Sequence, residues 1–198
     1  MVDLIVNQEK YKIEFMIKNI LGRDIDFSNV NSIVLKCIEK AYIDMLSGGR
    51  FYINQLEGFN KKSIVNKIKT IFDEFNYRYS IDMLNETLSL FGDCEIIKSK
   101  NSNNFVTRLG LSQKIINMSY KYFYCVNEFL GGLNIDYSLC DCPIDSIVLN
   151  YVGNNSKWTK LKMQEYLKVQ DDIRIFLKEN YKEDYEVFGN LLLDFIAW

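Results

Sequence analysis

The run Arg108-Leu109-Gly110-Leu111-Ser112-Gln113-Lys114, answered 31 residues after its lysine by Cys142-Pro143-Ile144-Asp145, decides how this chain is read. Gly110 between two leucines, followed by the capping candidate Ser112, is a tight hairpin signal leading into a helix. A helix that begins at Ser112 puts Lys114 in its first turn. Pro143 fits the first turn of another helix, reaching to Val152, because its missing N–H is unpaired there anyway. An amine just inside one helix and a carboxylate just inside the next are the two groups that a lysine nucleophile and its charge partner require.

Outward from this run the apolar spacing is helical nearly everywhere. Tyr11, Phe15, Lys18 and Ile20-Leu21 form a first amphipathic segment that closes at Gly22. A second starts near Ser28, Asn29, Asn31 and Ser32, carries Ile33, Val34, Cys37, Ile38, Ala41, Tyr42 and Met45 on one face, and stops at Gly48-Gly49. Ser63 can cap a helix with the face Ile64, Ile68, Ile71, Phe72 and Phe75, and Ser80 one with Ile81, Leu84, Leu88 and Phe91. Ser112 to Phe129 reads as a long helix ended by Gly131-Gly132. Two more follow, at about Lys160 to Asn180 and Asp184 to Trp198. Short β segments stay open around Phe51-Tyr52-Ile53, but nothing supports a sheet of any size. The expected architecture is all-α, with roughly eight to ten helices.

The polar stretch Asp93 to Asn104 reads as an exposed loop, either a flexible strip that meets a ligand or the boundary between two helical subdomains, 1–104 and 105–198, packed as one compact unit. With 198 residues, 48% of them hydrophobic and 14% aromatic, the chain can bury a substantial core. Its single proline leaves no Pro-rich linker. No apolar run is long enough for a membrane span, and the first ten residues lack a basic segment followed by an apolar stretch, so a cytoplasmic protein is expected. Five cysteines, an odd number, argue for reduced thiols. Cys140 and Cys142 with Cys125 lack a fourth ligand in a chain without histidine, so no metal is expected. A monomer without cofactors is the simplest expectation.

The net charge of −2 argues against gripping nucleic acid by bulk electrostatics, though not against local binding. Lys98, Lys100, Arg108, Lys114 and Lys121 form a basic segment around the hairpin signal. Its plain alternative is a solvated surface. Lys114 gains chemical meaning at a helix start, where the positive end of the dipole disfavours a second positive charge and so favours the nucleophilic free amine. Otherwise it is one surface lysine among many. Asp145 has an equally ordinary alternative as a helix cap.

In order and spacing, the hairpin, Gln113-Lys114, the long helix and Cys142-Pro143-Ile144-Asp145 resemble the helix-hairpin-helix superfamily of base-excision DNA glycosylases. They are most similar to its compact archaeal-type 8-oxoguanine glycosylase/lyases. The resemblance covers Arg108 to Asp145, and more weakly the last five residues. It implies two helical subdomains around a cleft, DNA as partner, and excision of a damaged purine through a lysine imine. Lys114 is then the nucleophile and Asp145 its charge partner. Arg108, Leu109, Gly110, Leu111, Ser112 and Gln113 hold the DNA phosphates, while Asp194 and Trp198, one helical turn apart, form the base pocket with Met118 at its flank. Trp158 is a further stacking candidate, and core packing is the alternative for both tryptophans. The chain departs from the usual Leu-Pro-Gly-Val-Gly hairpin by keeping one glycine, and it lacks the iron–sulfur cysteines of some relatives. Some proteins of this fold belong to bacterial antiphage systems. The second expectation is therefore an accessory or interaction protein of that kind, with a defence-system partner and no repair activity, and the third is an unrelated helical binding module in which Lys114 and Asp145 coincide by chance.

Overall fold

Helix α5, Arg108–Cys125, is buried on nearly every side, and the other elements are arranged around it. The computed structural model describes residues 2–49, 60–91, 97–98, 105–106 and 108–197, with side chains at 10–46, 60–91 and 108–197. Among these residues the fold is all-α with nine helices. They are α1 (Val2–Leu21), α2 (Val30–Gly49), α3 (Lys61–Glu74), α4 (Ile81–Leu90), α5, α6 (Ser146–Tyr151), α7 (Met163–Asn180), α8 (Lys182–Phe188) and α9 (Leu191–Ala197). Two short strands, β1 (Ile97–Lys98) and β2 (Phe105–Val106), pair antiparallel within and just after the stretch expected as a loop. The Phe51-Tyr52-Ile53 segment lies outside the described residues. No described helix is long and apolar enough to cross a membrane.

α2 lies along α5, and its entire expected face from Ile33 to Met45 is buried. α3 and α4 close the other flank of α5. There Phe72 meets Tyr120 and Phe123 edge-to-face, at centroid distances of 5.2 and 5.0 Å, contacts worth about 0.5–1.5 kcal/mol each beyond their area. The cap of α3 is Asn60, whose side chain accepts from the Ser63 N–H, and not Ser63 as expected. Ser80 caps α4 through Met83. Among the described side chains of α1 the buried ones are Ile17 and Leu21, whereas Tyr11 and Phe15 of the expected face stand exposed.

Three boundaries near the site differ from the sequence reading, and α5 also ends at Cys125, short of the expected Phe129. α5 starts at Arg108, so Leu109 to Ser112 are helical and do not form a hairpin. The leucines that framed the turn signal are core residues, and their burial outweighs the roughly 1 kcal/mol helix penalty of Gly110. Pro143 lies outside any helix, ahead of α6, which Asp145 caps. The expected last helix is two, α8 and α9, broken at Gly189. Its φ of +55° is left-handed, and a Cβ there would stand 2.5 Å from the Ser138 carbonyl oxygen, so only glycine fits the corner.

Candidate active site

The segment from Cys140 to Asp145 is buried and belongs to no helix or strand, so its backbone polar groups must find other partners. Side-chain amides supply them. Gln113 of α5 accepts from the Ile144 N–H at 2.9 Å and donates to the Ile144 carbonyl at 2.8 Å. Gln170 of α7 does the same for Cys142, at 3.0 and 2.8 Å, and Asn117 donates to the Cys142 carbonyl at 3.2 Å. Asn190 fixes Gln170 from behind at 3.0 Å. At the head of the segment, one oxygen of Asp141 accepts from the hydroxyls of Tyr79 at 2.5 Å and Tyr166 at 2.8 Å. Burial pushes the Asp141 carboxyl above its ordinary range, and the two phenols oppose the rise.

This clamp delivers Asp145 to Lys114. Asp145 Oδ1 accepts from the N–H groups of Ile147 and Val148 at 2.9 and 3.0 Å, while Oδ2 accepts from Lys114 Nζ at 2.8 Å. Capping and lysine pairing, alternatives on sequence grounds, are divided between the two oxygens. Both residues are buried, Lys114 being 6% and Asp145 9% exposed. Lys114 stands in the second turn of α5, not the first, because the helix begins four residues earlier than Ser112. The charged partner in contact with its amine is Asp145.

The pair forms part of the wall of a cavity of about 420 Å³. Met118, one turn after Lys114 on the same face, and Trp158 supply apolar wall, and Asp194 of α9 supplies a second carboxylate. Asp194 is fully buried and pairs through Oδ2 with Lys121. Burial raises its carboxyl above the usual range, opposed first by Lys121 and then by Lys114. Asp44 and Tyr122 also line the cavity and were absent from the sequence-based site. The Tyr122 hydroxyl donates to Asp44 Oδ2, and Lys40 pairs with Oδ1 at 2.5 Å. Spacing offers a signal for Lys121, two turns beyond Lys114. Asp44 offers none, because it reaches the cavity only through the packing of α2 on α5.

The expected site residues therefore divide. Lys114, Asp145, Met118 and Asp194 come together around one cavity, joined by Trp158. Leu109, Gly110, Leu111, Ser112 and Gln113 are buried in α5, and the amide of Gln113 is committed to Ile144. Only Arg108 of the expected phosphate-holding run is half-exposed. Trp198 lies outside the described residues. Among the described residues no three metal-ligating side chains gather as a metal site.

Compared with protein-family models, curated proteins and solved structures, the chain matches none. The class defined by its own residues is an all-α protein with a buried lysine–carboxylate pair in the wall of a small-molecule-sized cavity.

Proposed function

We propose that this protein has a helix-hairpin-helix glycosylase-like fold and acts as a DNA glycosylase with lyase activity, excising a damaged purine of the 8-oxoguanine type through a lysine imine. The observation that carries the reading is the 2.8 Å contact between Lys114 Nζ and Asp145 Oδ2 at a cavity large enough for a base. A purine stacked in duplex DNA cannot present C1′ to a buried amine, so the nucleotide is first flipped out, at a cost of a few kcal/mol. The Lys114 amine, having given a proton to Asp145, attacks C1′. The N–C1′ bond forms as the glycosidic bond breaks, and the base leaves with the electron pair and takes up a proton. That proton comes from Asp145, whose carboxylate, charged again, offsets the positive charge left on the sugar. The amine nitrogen then loses a proton as the C1′–O4′ bond breaks and O4′ takes one up, and the opened sugar is held as an imine. Loss of a C2′ proton expels the 3′ phosphate, and water releases the lysine.

The test is incubation with an 8-oxoguanine duplex in borohydride, which reduces the imine to a stable amine. Wild-type protein is expected to become covalently attached to DNA and Lys114→Gln to remain free, since an amide cannot form an imine. Equal trapping by the variant would assign the nucleophile elsewhere.

A second reading is an antiphage accessory or interaction protein that keeps the glycosylase-like fold without repair activity. It is favoured by the burial of Leu109 to Gln113 in α5, where a phosphate-holding hairpin was expected, and by the net charge of −2. Absence of trapping by wild-type protein across several damaged bases would select it.

A further inference from the structure

The chain carries no acid between Asp145 and Glu165, and within that stretch stand Lys157, Lys160 and Lys162. All three are exposed, and none forms a salt bridge among the described residues. By contrast Lys36, Lys40, Lys61, Lys69 and Lys121 each meet a carboxylate. Glu165 turns its Oε2 onto the Lys162 backbone N–H at 2.8 Å, at the start of α7. Asn155 and Ser156, exposed beside the lysines, add neutral hydrogen-bond donors.

This basic strip is fixed to the cavity by its buried neighbours. Trp158, between Lys157 and Lys160, is part of the cavity wall, and Leu161, between Lys160 and Lys162, is buried in the core. The Lys160 N–H donates to the Lys157 carbonyl at 2.8 Å, which closes Trp158–Lys160 into a single 3-10 turn. That turn packs against β2 and α5, so half-exposed Arg108, at the junction of those two elements, lies at the same end of the molecule. With the backbone anchored, a ligand that meets the lysines has only their side-chain freedom to restrict.

We propose that Lys157, Lys160 and Lys162 form a phosphate-binding surface, which grips the sugar-phosphate backbone of duplex DNA beside the cavity. The role expected of Leu109 to Gln113 thereby passes to a different segment, since that run is buried in α5. The choice of DNA rests on the glycosylase reading, while the position of the surface comes from the lysines themselves. A protein of net charge −2 cannot hold a polyanion by its overall field, so the cations must be gathered locally. Beside a base-sized cavity with an aromatic wall, they suit a polymer in which every base is joined to a phosphate. An acidic protein surface or an anionic membrane would leave that cavity unused.

The experiment measures binding of the full chain to an undamaged duplex by fluorescence anisotropy over a range of salt concentrations. Wild type is compared with two triple variants that lose the same charge, Lys157→Gln/Lys160→Gln/Lys162→Gln and Lys62→Gln/Lys67→Gln/Lys182→Gln. The second set replaces exposed lysines of α3 and α8. The first set is expected to flatten the slope of log affinity against log salt by about 2–3 and to weaken binding at least about tenfold at about 100 mM salt. The second should stay within about 0.5 of the wild-type slope. Lys157→Arg/Lys160→Arg/Lys162→Arg keeps the charge and should keep the slope, and a loss there overturns the proposal. Equal flattening by both glutamine sets would assign the effect to net charge and overturn it, as would absence of duplex binding by wild type at low salt. Borohydride adducts on an 8-oxoguanine duplex separate this surface from the glycosylase reading. Salt-dependent binding weakened only by the first set, with no adduct, upholds the surface and removes that reading. Wild-type adducts with an unchanged slope in the first set overturn the surface alone.

Discussion

Gln113 pairs with Ile144 as a neighbouring strand would, accepting from its N–H at 2.9 Å and donating to its carbonyl at 2.8 Å. Both residues are fully buried, so neither backbone group of Ile144 has water as an alternative. One side chain thus fixes the residue before Asp145 in both directions along the chain.

Gln113→Leu should therefore be costly although it adds apolar volume to a buried site. It strands a buried N–H and a buried C=O, each worth about 1–3 kcal/mol. We expect unfolding free energy to drop by about 2–5 kcal/mol in urea titration. A loss below about 0.5 kcal/mol would show that the segment is held by Gln170 and Asn117 without it.

The divided carboxylate of Asp145 separates two substitutions. Asn keeps an oxygen for the Ile147 and Val148 N–H groups but removes the charge beside Lys114, so Asp145→Asn should fold normally with base excision reduced at least about 100-fold. Asp145→Ala also removes the cap and should lose a further ~0.5–2 kcal/mol of stability. Normal excision by the Asn variant with a large fall in Tm would leave Asp145 as a cap alone.

Asp141 sets a pH dependence of opposite sign to that of a salt-bridged acid. Its folded-state carboxyl lies above the ordinary value of 3.8, so the folded protein binds this proton more tightly than the unfolded chain. The linked stability is fully present below pH 3.8 and is lost as pH rises through the higher folded value. Asp141→Asn retains an acceptor for Tyr79 and Tyr166 without a charge. Relative to wild type, the variant should gain stability from pH 3.8 up to the raised folded value and level off above it. A difference that stays flat with pH in denaturant titrations would contradict the burial argument.

Trp158 is nearly buried and lines the cavity, so packing and base contact must be told apart. With Trp158→Leu, we expect the preference for DNA carrying a flipped purine analogue over undamaged duplex to shrink by about 1–3 kcal/mol, the scale of base–aromatic stacking. If only Tm falls while the binding ratio holds, Trp158 belongs to the core.

The sequence by itself determined the helical class, the apolar face of α2 and the partnership of Lys114 with Asp145. The first two follow from local periodicity, and the third from a paired motif whose residues lie 31 positions apart. Tertiary structure decided where α5 begins. Leu109 and Leu111 look like a framed turn until the core that buries them is present, and burial then overrides the local preference of Gly110. It decided also that Pro143 stands outside α6, because Gln113, Gln170 and Asn117 satisfy a segment outside any helix that no neighbouring residue could. The second half of the cavity wall belongs to tertiary structure alone. Asp44, Tyr122 and the Lys121–Asp194 pair meet because α2 and α9 pack beside α5, and contacts between helices distant in sequence leave no trace in spacing along any one of them.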